Sequence, residues 1–134
     1  MTKIIDNTLL DKVSGEAKES PRLRMNYNFH TSLNAKAQCL LNAVEPGTKV
    51  VVHRHLHADE TFIVLRGRLK VLIYNNDKSI QVKEEINPLR GVYGYNIPKG
   101  VWHTIEVLEP NTVLMEVKDG PYIPISPDNI LEVV

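Results

Sequence analysis

Gly47-Thr-Lys-Val-Val-Val-His53-Arg-His55-Leu-His57-Ala-Asp-Glu60-Thr-Phe-Ile-Val-Leu-Arg-Gly67 brings three imidazoles and a carboxylate into eight residues, between two β-branched, apolar runs. Val50 to Val52 and Thr61 to Leu65 read as strands. Residues two apart on a strand share a face, so His53 and His55 project together, and His57 joins them if the strand runs on that far. Glu60 opens the next strand. Adjacent strands lie ~4.8 Å apart, which lets its carboxylate reach the point where the two imidazoles meet. Imidazole nitrogen and carboxylate oxygen converging on one point suit a divalent transition metal. Two histidines at this spacing also occur on ordinary strands. Two histidines, a glutamate and a distant fourth donor, framed by glycines, point to a metal.

The fourth donor lies in Gly91-Val-Tyr-Gly-Tyr-Asn-Ile-Pro98-Lys-Gly100-Val-Trp-His103. Pro98-Lys99-Gly100 is a turn, because proline fixes φ and glycine supplies a positive one. It feeds a strand, Val101 to Leu108, that carries His103. Here the chain resembles the cupin superfamily. Gly47, His53, His55, Glu60 and Gly67 match the first cupin motif position for position, and Pro98, Gly100 and His103 match the second. Gly91 stands one residue too far from Pro98, and Val107 replaces the usual asparagine. Neither departure removes a ligand. The resemblance implies His53, His55, Glu60 and His103 as metal ligands, and their mixed nitrogen and oxygen donors suit one divalent metal among Fe, Mn, Zn, Ni and Co.

Length and composition frame this reading. A chain of 134 residues is expected to form one domain. Within it, 1–36 is a helix and arm, 37–118 a β-barrel core and 119–134 a tail. Sixteen basic and sixteen acidic residues cancel, which argues against a nucleic-acid partner. The single Cys39 excludes an internal disulfide and suits a reducing compartment. No apolar run approaches the ~20 residues of a membrane span, and the N-terminus has no signal-like apolar stretch, so a cytoplasmic protein with no membrane partner is expected.

Asp6 to Ser20 reads as a helix, capped by Asp6, Asn7 or Thr8, with Leu9, Leu10, Val13 and Ala17 as its apolar stripe. Ser20-Pro21 ends it. From Arg22 to His30, Leu23, Met25, Tyr27 and Phe29 alternate with Arg22, Arg24, Asn26, Asn28 and His30, a strand period. The polar series is either a solvated edge or a wall for an anionic or hydroxyl-rich ligand, to which guanidinium forks are suited. Ala37 to Val44 is a strand with Asn42 on one face. Glu45-Pro46-Gly47-Thr48 is a turn, and Glu109-Pro110-Asn111-Thr112 is its near-copy. Leu65 to Leu69 is a tight reversal. Leu69 to Tyr74 and Ser79 to Ile86 are strands. Asn87 to Tyr95 reads as a loop, where Tyr93 and Tyr95 are either ligand contacts at the rim or strand aromatics. Thr112 to Lys118 is the last clear strand. The proline-rich tail runs extended, with a short helix starting at Ser126-Pro127.

Eight or nine short strands with close turns predict an all-β, double-sheet antiparallel architecture, the jelly roll, behind a short N-terminal helix. The cupin resemblance implies the same double-stranded β-helix. A longer resemblance rests on Arg22-Leu-Arg-Met-Asn-Tyr-Asn, Leu41-Asn-Ala-Val-Glu-Pro-Gly-Thr, the His53 to Leu69 run and Glu116-Val-Lys-Asp-Gly-Pro-Tyr. On these the chain resembles the WbuC family, small bacterial cupin metalloproteins associated with O-antigen polysaccharide gene clusters. This implies a metal site and a link to nucleotide-sugar or polysaccharide chemistry.

Three imidazoles and a carboxylate leave open positions on a five- or six-coordinate metal, as a reactive site requires. Three functions fit. The first is a metal-dependent isomerase or epimerase on a sugar, with His57 or Glu116 as base. Arg22, Arg24, Asn26, Asn28, His30, Asn42, Tyr93 and Tyr95 are the candidates to hold its substrate. The second is an Fe(II) oxygenase. The third is a non-catalytic module that binds a sugar-derived or anionic small molecule. By analogy with cupins that pair through sheet edges, a homodimer is expected.

Overall fold

The computed structural model describes residues 2–133. Helix α1 (Asn7–Glu19) starts where the Asp6 carboxylate accepts the Leu9 N–H at 3.0 Å, and stops at Ser20, which turns extended ahead of Pro21. Its stripe of Leu10, Val13 and Ala17 is buried against Leu41, Ala43 and Val113, so the helix lies on the outer face of a sheet.

Ten strands follow: β1 (Arg24–Asn28), β2 (Ala37–Val44), β3 (Val52–His53), β4 (Glu60–Arg66), β5 (Leu69–Tyr74), β6 (Ile80–Ile86), β7 (Gly94–Ile97), β8 (Trp102–Val107), β9 (Thr112–Asp119) and β10 (Ile130–Leu131). They form two five-stranded antiparallel sheets, ordered β1-β2-β9-β4-β7 and β10-β3-β8-β5-β6. Alternation decides which side chains enter the space between them. On β4, Glu60, Phe62 and Val64 are buried while Thr61, Ile63 and Leu65 are exposed. One end of that space is filled by an apolar cluster that includes Phe62, Val64, Leu69, Val71, Ile86 and Val107.

The reversal after Arg66 is not a hairpin. It carries the chain from the first sheet (β4) to the second (β5). Gly67 sits there at φ +80°, against Thr112, where a Cβ would collide. The two Glu-Pro turns lie side by side: the Glu45 carboxylate accepts the Asn111 N–H at 2.9 Å.

Three expectations are corrected. The strand through His53 ends at that residue; Arg54 N–H is donated to Asn129 instead, and Gly100 N–H to the His55 carbonyl, so the next residues form a loop. The segment Asn87 to Tyr95 is not all loop. A 3₁₀ turn (Pro88–Arg90) precedes β7, whose Gly94 lets the backbone close onto Phe62 and Ile63 of β4, where a Cβ would clash. The tail is not merely extended: Pro127–Asn129 is a 3₁₀ turn, as Ser126-Pro127 suggests, but β10 then pairs Ile130 with His53. Among the described residues, no helix is long and apolar enough to cross a membrane.

Candidate metal centre

β3 and β8 pair through His53 and His103, so two imidazoles stand side by side on the inner face of the second sheet, ring centroids 4.3 Å apart. His55, in the loop after β3, turns its ring to 5.1 Å from His53 and 5.8 Å from His103. One ring nitrogen from each of the three lies within 4.8 Å of the other two. Glu60, the first residue of β4 in the opposite sheet, sets Oε2 3.3 Å from His55 Nε2 and 3.6 Å from His103 Nε2.

The backbone selects the tautomer. His53 Nδ1 lies 2.8 Å from the Val51 carbonyl, and His103 Nδ1 2.9 Å from that of Val101. A carbonyl only accepts, so each Nδ1 carries the proton and each Nε2 presents a lone pair inward. His103 and Glu60 are 4% and 7% exposed, yet His103 Nε2 and Glu60 Oε2 have no hydrogen-bond partner. Buried polar atoms left unmatched cost free energy. A divalent cation among three imidazole nitrogens and a carboxylate oxygen would satisfy both, so the residues fit the metal that the donor set implies.

Charge follows the same geometry. Burial pushes the His53 imidazole down to about 4, with His103 adding to it, so the ring is neutral at pH 7. Burial opposes ionisation of Glu60, but the facing imidazoles of His103 and His55 outweigh it and hold the carboxyl well below the usual carboxylate range. For His103 burial likewise works against the charged form, and Glu60 more than offsets it, raising the imidazole.

The cluster opens onto a cavity of about 510 Å³ between the sheets. Arg22, Arg24, Asn26, Asn42 and Glu116 line it with the metal-binding candidates. Asn42 Nδ2 donates to Glu116 Oε1 at 3.1 Å. Burial, and then the charge on Glu60, push the Glu116 carboxyl up to about 7.

Five other candidates stand elsewhere. Asn28 is exposed and lines no part of this cavity. His30 places Nδ1 3.0 Å from the Cys39 carbonyl. Tyr93 is 60% exposed, and Tyr95 packs against the apolar cluster, as a strand aromatic does. His57 is exposed because the strand ends before it; it borders a neighbouring pocket of about 290 Å³ with Arg54 and Leu56, which shares His55 and Lys118 with the cavity. Cavity residues that escape the sequence reading include Lys49, Lys118, Tyr122 and Ile123. Lys118 was legible, since it shares the β9 face of Glu116 by the period of two. Nothing local marks Tyr122 and Ile123, which belong to the returning tail.

Solved structures share this architecture. KdgF from a Halomonas species superposes with a TM-score of 0.57 at 16% identity, over 75% of this chain and 80% of that one. CapF, the capsular polysaccharide assembling protein of Staphylococcus aureus, gives 0.62 at 23% identity, over 74% of this chain but only 27% of its own. A sugar phosphate isomerase of the cupin superfamily from Silicibacter pomeroyi gives 0.51 at 20% identity, over 64% of this chain and 52% of its own. At these identities the likeness is one of fold, and the fold is the cupin jelly roll. No curated protein matches the sequence. Residues 5–86, which include His53, His55 and Glu60, match a described family, and the chain belongs to it: Domain of unknown function (DUF6016).

Proposed function

We propose that this chain is a metal-dependent cupin enzyme that isomerises or epimerises a sugar-derived or anionic small molecule, with His53, His55, Glu60 and His103 as ligands. The observation that carries the reading is the pair of buried, unpartnered atoms, His103 Nε2 and Glu60 Oε2, inside a cluster of three imidazoles. A bound Fe, Mn, Zn, Ni or Co ion would polarise a carbonyl or hydroxyl oxygen and acidify the adjacent C–H. Glu116 is the base in this reading. Its carboxylate takes the proton from carbon and later returns it to the ligand, so the reaction has no net proton change. Burial raises its affinity for a proton, as a base that must hold one between two steps requires, and Asn42 orients it through the 3.1 Å hydrogen bond.

The WbuC resemblance, with the fold likeness to a capsular polysaccharide assembling protein and a sugar phosphate isomerase, supports a substrate from polysaccharide or nucleotide-sugar chemistry. The reading includes a homodimer through β1, an edge strand of the first sheet, which sedimentation of the purified protein tests.

Elemental analysis of protein purified without added metal should find about one equivalent of a transition metal per chain. His103→Ala should lower its affinity by at least ~100-fold, because one ligand is lost and Glu60 faces a gap. The isomerase reading predicts solvent deuterium incorporation into a sugar from a sugar and nucleotide-sugar panel, abolished by Glu116→Gln. Metal-free wild-type protein, or a His103→Ala variant that keeps its metal, would overturn the metal assignment. Iron with oxygen uptake and no deuterium exchange would replace the isomerase with an oxygenase. Ligand binding without turnover would replace it with a binding module.

A further inference from the structure

A diagonal row of polar side chains crosses the inner face of the first sheet, away from the metal centre. Glu60 on β4 pairs with Lys118 on β9, and Phe62 with Glu116, so Glu116 is diagonal to Glu60. Glu116 pairs with Leu40 on β2, and Asn42 is the next inward residue, joined to Glu116 by its hydrogen bond. Asn42 pairs with Asn26 on β1, and Arg24 follows two residues along. Glu60 and Arg24 are therefore three strand spacings apart, about 14 Å across the sheet before the register offset is added.

The far end of the row is cationic and has no counter-charge. Arg24 Nη1 donates to the Lys49 carbonyl at 2.8 Å and lies 3.4 Å from Thr48 Oγ1, both neutral. Arg22 and Lys49 line the same cavity, and the Thr48 hydroxyl beside Arg24 donates to the Arg22 carbonyl at 2.7 Å. Among the described residues, none of the three forms an ion pair. Three cations on one wall repel one another, and an anion of more than one charge would relieve this. A phosphoryl group supplies that charge and presents several oxygens to a guanidinium fork.

We propose that Arg22, Arg24 and Lys49 bind the phosphoryl group of an extended, hydroxyl-bearing ligand whose other end lies at the metal centre, with the Asn26 and Asn42 amides beside the hydroxyls between. The metal-end placement rests on the reading proposed above. The anion subsite itself does not need the metal. The competing arrangement puts the phosphoryl group on the metal beside Lys118, the cross-strand partner of Glu60.

Calorimetric titration of glucose 6-phosphate and of UDP-glucose into metal-free and Mn(II)-loaded protein separates the two. Binding of at least one probe to both forms is expected. Arg24→Ala should weaken it roughly 10- to 100-fold, Arg24→Lys less, and Lys83→Ala, on the exposed face of β6, not at all. In the Mn(II) form, phosphorus relaxation should place the phosphorus outside the metal's coordination shell. Preference for glucose 6-phosphate would identify the ligand as a sugar monophosphate, and preference for UDP-glucose as a nucleoside diphosphate sugar. Any of three results overturns the proposal: neither probe binds wild-type protein, a folded Arg24→Ala variant binds as wild type does, or binding is lost in Lys118→Ala with phosphorus on the metal. Failure of metal uptake alone would count against the metal centre and leave the metal-free arm to decide the anion subsite.

Discussion

Strand β8 carries His103 near one end and Val107 at the other, and the part of β4 from Glu60 to Val64 covers the same distance. Four residues of strand span about 13 Å. Within that length the space between the sheets changes from imidazole and carboxylate to Val64, Leu69, Val71 and Val107, packed with little exposure. The apolar end offers no polar atom to a ligand, and its close packing holds the strands in register. The polar end keeps a cavity and, among the described residues, leaves three buried atoms unmatched: His103 Nε2, Glu60 Oε2 and Asn42 Oδ1. The contrast teaches a division of labour: the apolar half supplies the stability that an unmatched polar cluster consumes, and it holds the ligand-bearing strands at fixed spacing. The two halves should therefore respond differently to substitution.

Leu69→Ala gives the largest expected effect. Leu69 is fully buried, on β5 opposite Val107, and lines no part of the cavity. Truncation should cost ~2–5 kcal/mol in chemical denaturation, from lost transfer energy plus the void left behind. Metal affinity of the folded fraction should be unchanged. If affinity falls with stability, the two halves are one unit and the contrast fails.

The polar half should show its cost as a pH dependence. The folded-state value of Glu116, about 7, lies above its ordinary 4.5, so the folded protein keeps this proton longer than the unfolded chain. Its stabilisation is fully present below pH 4.5 and is lost as pH rises through about 7. The full span corresponds to about 3 kcal/mol. Glu116→Gln keeps a partner for Asn42 but cannot ionise. In metal-free protein, its stability relative to wild type should improve by about 2–3 kcal/mol between pH 4.5 and 8. Urea denaturation at both pH values checks this. A difference that does not change with pH would mean that the Glu116 carboxyl is not held protonated by its surroundings.

Legibility in the sequence followed the range of the interaction. The first cupin motif spans 21 residues, and its donors are set by local period and spacing, so His53, His55 and Glu60 could be read directly. The α1 stripe and the β2 and β5 boundaries were readable for the same reason. β7 was hidden because its first residue is a glycine, which looks like a loop until the close backbone of β4 is known. β10 was hidden because two residues have no period; it exists only through its pairing with β3. His57 would have joined the other imidazoles only had the alternation run on, and the backbone stops pairing at His53. The tail's approach to the cavity depends on Gly120 and Tyr122 donating to the Lys36 and Leu33 carbonyls, contacts about 85 residues apart in sequence that no local pattern announces.

The smallest effect is expected outside both halves. Helix α1 covers the outer face of β1, β2 and β9 and has no acidic residue in its first turn, so the Asp6 carboxylate at the cap stands alone against the exposed N–H groups there. Asp6→Ala removes the 3.0 Å bond to Leu9 and the favourable charge at that end, which should cost about 1 kcal/mol. The urea midpoint should fall with an unchanged slope, since the helix still docks through Leu10, Val13 and Ala17. Metal content and affinity should be untouched, because the cap is on the far side of the sheet from the histidines. A loss of metal on so small a destabilisation would show that the outer layer sets the geometry of the polar half. The contrast would then lie between the inner and outer faces of the first sheet and not between the two ends of the sandwich.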